Sequence, residues 1–141
     1  NADYHVISKY NKANLTLVNE TELRQELRNK VDNVDILIKQ LAKKIKSKFS
    51  VVTCGKEGAK IFSASNKKII NCPAFANKVT DKIGTGDTML ALLSLSMYKK
   101  LDLRFCMLLS SLGAAHNIEY MANSTQLSKT NILKAVNSYL K

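Results

Sequence analysis

From Val34 onward the apolar residues fall at positions 34, 37, 38, 41, 42 and 45. That is the i, i+3, i+4, i+7 spacing of an amphipathic helix. A short apolar stretch rich in β-formers lies on each side of it. Asn14-Leu-Thr-Leu-Val18 comes before and Ser50-Val-Val-Thr53 after, and both read as buried strands. This alternation of strand and helix constrains the chain more than any other feature. It argues for an α/β fold with a layered sheet.

The remaining elements extend the pattern. Asn19 ends the first strand, and Glu20 to about Leu27 reads as a helix. Asp32 or Asn33 is placed to cap the helix that starts at Val34. Cys54-Gly-Lys-Glu-Gly58 is a glycine-bearing turn. Ala59–Ser63 and Lys68–Asn71 read as two strands joined by a polar turn. Asp87 to about Lys99 reads as a helix that is apolar nearly all round, so it is expected at the centre of the fold. Leu103 to Met121 reads as another long apolar helix. Ser128 can cap a last amphipathic helix ending near Tyr139.

Composition excludes several classes. The chain has 141 residues, 45% of them apolar, with 5 Gly and 1 Pro. It is neither disordered nor low-complexity. No apolar run approaches the ~20 residues that cross a bilayer, so no membrane partner is expected. Cys54, Cys72 and Cys106 form no disulfide framework and no C-x-x-C. With apolar neighbours they read as buried thiols of a cytoplasmic protein. The 22 basic residues outnumber the 11 acidic ones, giving a formal charge of +11. The densest cluster, Lys39 to Lys48, has no interleaved aromatic in sequence, and its lysines read as the solvated face of a helix. Nucleic acid is therefore not an expected partner. Attraction of small polyanions stays open.

The stretch that can carry chemistry is Asp81-Lys-Ile-Gly84-Thr85-Gly86-Asp87-Thr88. Two glycines allow close approach to a ligand. The helix beginning there offers unpaired N–H groups and the positive end of its dipole, an anion site. Asp87 is either a helix-capping residue or a general base beside that site. Walker A, G-x-G-x-x-G and G-x-S-x-G patterns are all missing. His5 and His116 are isolated, and His116 reads as structural.

Asp81-x-x-Gly84-x-Gly86-Asp87-Thr88 resembles the signature of the ribokinase (pfkB) family of sugar kinases. Asn19-Glu-Thr-Glu22 is similar to the family's Asn-x-x-Glu motif. Thr53-Cys-Gly55-Lys-Glu-Gly58 is similar to its T-x-G-x-x-G nucleotide turn, and Cys72-Pro-Ala-Phe75 also fits. Thr85 departs from the usual Ala. Within the family, Tyr10–Asn19 and the Gly-Thr-Gly-Asp-Thr loop most resemble the heptose-7-phosphate kinase branch.

The resemblance implies the C-terminal part of a ribokinase-like layered α/β/α fold. Residues 1–141 would form a single nucleotide-binding and catalytic domain, without the sugar-binding half and lid. It implies phosphoryl transfer from ATP to a sugar or sugar-phosphate hydroxyl. Asp87 would be the base, and Gly84, Thr85 and Gly86 would form the anion hole. Asn19, Thr53, Gly55, Gly58, Ser111, Ala114 and Ala115 would contact nucleotide. Glu22 would help place Mg²⁺. A monovalent cation such as K⁺ is implied near Asp81 and the loop at Asn123. A half-fold exposes apolar surface or a strand edge, so a homo-oligomer is expected. It also lacks the groups that would hold a sugar, so the isolated chain is expected to be inactive. The alternative is a non-catalytic nucleotide-binding or interaction module with a basic surface.

Overall fold

The computed structural model describes residues 7–75, 84–120 and 128–139, the side chains of residues 117–120 and of Tyr139 aside. The elements are β1 (Leu15–Asn19), α1 (Glu20–Leu27), α2 (Val34–Ile45), β2 (Phe49–Thr53), β3 (Ala59–Ser63), β4 (Lys68–Cys72), α3 (Thr85–Tyr98), α4 (Leu103–Tyr120) and α5 (Lys129–Tyr139). They fall into two compact units, Asn1–Asn71 and Cys72–Lys141.

In the first unit the sheet order is β1-β2-β3-β4. β1 and β2 are parallel, in register from Leu15 opposite Phe49 to Asn19 opposite Thr53. Two parallel strands cannot be joined by a tight turn, and α1 and α2 supply the crossover. β3 returns antiparallel to β2.

The expected α2 is observed at its expected start. The Asn33 side chain accepts from the Asp35 N–H at 2.8 Å, so Asn33 rather than Asp32 is the cap. Lys46, in the left-handed region at φ 51°, ends the helix. All six apolar positions of its stripe are buried. They form one cluster with Val18, Leu23, Val52 and Phe62 from the strands and α1. Each fully buried Leu or Ile contributes about 1.5–3 kcal/mol through removal of apolar surface from water. At the amino ends of β1 and β2, buried Ser47 and Ser50 share a hydrogen bond of 2.6 Å, and Thr16 donates to Ser50 at 3.3 Å. These hydroxyls satisfy one another out of water.

The second unit is helical. α3 begins at Thr85, two residues before the expected start. It buries Met89, Leu93 and Ser96. The expectation that it lies fully enclosed is not met, since Leu95 is 60% and Tyr98 80% exposed. Within its unit α4 covers one face of α3, and an all-round apolar sequence cannot say which faces will find a partner. α4 follows a short turn, with Asp102 capping the N–H groups of Arg104 and Phe105 at 2.9 and 3.2 Å. Its Cys106, Met107 and Leu112 are buried. The Asn131 N–H donates to the Ser128 hydroxyl at 3.2 Å, the expected cap of α5. Among the described residues no helix is long and apolar enough to cross a membrane.

Candidate active site

The first unit gathers one group of candidate residues at the carboxyl ends of its parallel strands. Open α/β sheets bind ligands outside these ends. Asn19 and Thr53 end β1 and β2 and are register partners, so they stand side by side although 34 residues apart in sequence. Asn19 is also the cap of α1. Its Oδ1 accepts from the Glu22 N–H at 2.8 Å, and Glu22 Oε2 accepts from the Asn19 N–H at 2.9 Å. This reciprocal capping box fixes both side chains at the edge of the sheet. It uses one carboxylate oxygen of Glu22. Oε1 accepts no hydrogen bond among the described residues, and Glu22 is exposed.

The turn after β2 is closed by its own backbone. The Cys54 N–H donates to Gly58 O at 2.7 Å, and the Gly58 N–H donates to Gly55 O at 3.1 Å. Gly58 sits at φ 87°, ψ −133°, a region that side-chain-bearing residues avoid. The glycines therefore set the shape of the turn. A groove of about 370 Å³ opens beside it, lined by Glu20, Arg24, Asp32, Asn33, Glu57 and Lys60, with Val31 and Val34. Lys60 donates to Asp35 at 2.7 Å, and that bond raises its pKa. Arg24 pairs with Glu20 at 2.7 Å. Sequence reasoning did not find this groove. Its residues come from α1, the α1–α2 connection, α2, the turn after β2 and β3, and nothing in their spacing marks a common surface.

Burial, with Glu20 next in effect, pushes the Cys54 thiol up to about 11. A thiol whose folded pKa lies above its unfolded value stabilises the fold in its protonated form. That contribution is complete below the ordinary cysteine range and is lost as pH rises through about 11. Urea unfolding near pH 8 and near pH 10.5 is expected to show a larger loss of stability for the parent chain than for Cys54→Ala. An equal loss in both would mean that the thiol is not coupled to folding.

The second unit carries the other candidates. Gly84 is the N-cap of α3 at φ 78°, in the left-handed region. It has no side chain, so no side chain caps the first turn. Among the described residues, no side chain caps the first-turn N–H groups of this 14-residue helix. The Thr85 hydroxyl is buried, with no hydrogen-bond partner among the described residues. Asp87 is the third residue of the helix, so the capping role belongs to Gly84. The Asp87 side chain is exposed and makes no hydrogen bond among the described residues. Thr88 donates through its hydroxyl to Gly84 O at 3.0 Å and reinforces the turn.

Ser111, Ala114 and Ala115 lie on α4, with both alanines buried. Burial raises the Cys72 pKa, and the Ser111 hydroxyl beside it offsets part of this without a well-aligned hydrogen bond. All three cysteines are free and buried. Asp81 and Asn123 lie outside the described residues. Among the described residues no group of three or more His, Cys, Asp or Glu side chains could hold a metal ion.

Residues 4–130 match the pfkB family carbohydrate kinase family. The bifunctional protein HldE of Helicobacter pylori is 33% identical over 100 residues, which cover 69% of this chain and 21% of that protein. The protein of the same name from Campylobacter curvus is 30% identical over 122 residues, 84% of this chain and 25% of that one. The chain thus spans about a fifth to a quarter of the length of these relatives. Phosphofructokinase-2 from Escherichia coli, solved with substrates and products, superposes with a TM-score of 0.78 at 18% identity. The match covers 96% of this chain and 44% of that one. Ribokinase from Arabidopsis thaliana, solved with ribose and ATP, gives 0.72 at 22% identity over 87% of this chain and 40% of that one. The expected ribokinase-like α/β fold is therefore present, and the chain belongs to the pfkB family of carbohydrate kinases.

Proposed function

We propose that this chain supplies the nucleotide site and the catalytic base for ATP-dependent phosphorylation of a sugar or sugar-phosphate hydroxyl. The observation that supports this most directly is the start of α3. Gly84 leaves the first-turn N–H groups uncapped, and Asp87 stands exposed in the same turn. An anion hole and a carboxylate in one helix turn are what phosphoryl transfer to an alcohol requires. In this reading the hydroxyl oxygen attacks the γ-phosphorus as its proton passes to Asp87. The bond from that phosphorus to the bridging oxygen breaks, and ADP leaves. The N–H groups of Thr85 and Gly86, with that of Gly84, hold the charge that develops on the phosphoryl oxygens.

Asn19, Thr53, Gly55 and Gly58 are assigned to the nucleotide, with Ser111, Ala114 and Ala115 along the adenine. The free, exposed oxygen of Glu22 fits a water-mediated contact to Mg²⁺. This ion is usually held by one or two carboxylates together with substrate phosphates. Bound there, Mg²⁺ would neutralise phosphate charge. A heptose phosphate is the substrate class implied by the resemblance of Tyr10–Asn19 and the Gly84–Thr88 loop to the heptose-7-phosphate kinase branch.

Millimolar ATP or ADP is expected to shift the amide resonances of Gly84–Thr88 and of Thr53–Gly58. Unmoved Gly84–Thr88 signals in the folded chain would refute the anion hole. Unmoved Thr53–Gly58 signals alone would remove the turn from the nucleotide site.

A further inference from the structure

The first unit is electrically polarised along its strands. Glu20, Glu22, Asp32, Asp35 and Glu57 all lie at the carboxyl ends of β1 and β2 or at the helix starts beside them. Among the described residues, the exposed charges at the opposite edge are all basic. There the segment before β1 is tied to the end of α2. The Lys12 N–H donates to Ile45 O at 2.7 Å, and the Lys48 N–H donates to Ala13 O at 3.1 Å. Ile7 packs against the core that α2 forms. These bonds bring Lys9 and Lys12 to Lys43, Lys46 and Lys48, which lie more than 30 residues away in sequence. All five are exposed and have no ion pair among the described residues. Glu26, in the last turn of α1, is paired with Lys44 at 2.7 Å.

The tie also delivers what the linear lysine cluster lacks. Tyr10, between Lys9 and Lys12, is 64% exposed. Its backbone N–H is fixed to Ile7 O at 3.1 Å. Favourable interaction with the negative end of α2 accounts for Lys43 and Lys46. It does not account for Lys9, Lys12 and Lys48, which belong to other segments, or for an aromatic ring held in water among them.

We infer that the amino edge of the first unit, Lys9, Tyr10, Lys12, Lys43, Lys46 and Lys48, binds single-stranded nucleic acid. The lysines track the phosphates, and a base stacks on Tyr10. Single-strand sites without sequence preference combine these two elements, a cationic surface and an aromatic platform. Among the described residues, no large aliphatic residue is exposed between these lysines to enter a bilayer. An acidic protein surface has no use for the ring. The site lies at the end of the strands opposite Asn19 and Thr53, so it is independent of the proposed kinase chemistry.

The test is fluorescence anisotropy of a labelled oligothymidylate of 12 nucleotides with the 141-residue chain. The expected dissociation constant lies between about 10⁻⁶ and 10⁻⁴ M at moderate salt. Log affinity should fall linearly with log salt. The double variant Lys46→Gln/Lys48→Gln should reduce that slope by about 1.4, at roughly 0.7 per phosphate of a single strand. Tyr10→Ala should weaken binding about tenfold and leave the slope unchanged. Each variant is first checked by circular dichroism against the parent. Absence of binding near 50 mM salt overturns the inference. So does an unaffected Tyr10→Ala. Equal affinity for polyglutamate or for phosphatidylserine vesicles also overturns it, because the surface would then read charge alone.

Discussion

Asp87→Asn is expected to lower kcat for sugar phosphorylation by about 10²–10⁴-fold, the usual worth of a positioned general base. The measurement belongs in the longest polypeptide that carries this sequence and phosphorylates a sugar, with nucleotide affinity and melting temperature followed alongside. Asn is close to isosteric with Asp but cannot accept the hydroxyl proton. The structure sharpens the comparison. Gly84 occupies the cap of α3, and Asp87 is an exposed third residue that makes no hydrogen bond among the described residues. Its replacement therefore removes no capping bond. The stability change should be within about 0.5 kcal/mol, as for most surface substitutions. The barrier, in contrast, should rise by about 2.7–5.4 kcal/mol, at 1.36 kcal/mol per tenfold. A folded Asn variant with a rate within a few-fold of the parent would show that Asp87 takes no proton.

The second large effect is on folding. Leu41→Ala is expected to destabilise the chain by about 2–5 kcal/mol, read from the midpoint of urea unfolding. Leu41 is fully buried on the inner face of α2. Val34, Leu37, Ile38 and Ile45 are its companions in the cluster that also holds Val52 and Phe62. Truncation loses the transfer free energy of the side chain and leaves a cavity that a packed helix cannot collapse to fill. Globular domains are stable by only about 5–15 kcal/mol, so a single such cavity can remove a large part of the total. Ile36→Ala is the control. It sits on the same helix, is 48% exposed, and should cost clearly less. Equal losses at both positions would mean that the sequence stripe does not define the core.

The elements of the first unit were legible because each rests on local chemistry. The six-residue stripe of α2 can bury only one face, Asn33 can cap only one end, and the glycines of the Cys54–Gly58 turn permit a backbone that other residues resist. The same holds for the signature loop, since Gly84 at the cap and Gly86 in the first turn of a helix announce an uncapped N-terminus whatever the rest of the chain does. α3 was misjudged because an all-round apolar sequence gives the same pattern whether one face or every face finds a partner. The spacing leaves Asp87 open as either cap or base, because a left-handed glycine at the cap carries no side-chain signal that would decide between them.

The α/β class, the order of elements and the motifs of a pfkB carbohydrate kinase were legible in the chain, since these depend on neighbours within a few residues. Which residues stand side by side depends on the tertiary fold. Parallel pairing of β1 with β2 places Asn19 next to Thr53. The bond from Lys12 to the end of α2 sets Tyr10 among lysines from elsewhere in the chain. Each of these contacts joins residues through hydrogen bonds and packing that close only after the sheet has formed. No local spacing encodes them, because the free energy that selects them comes from burying the α2 stripe against the strands.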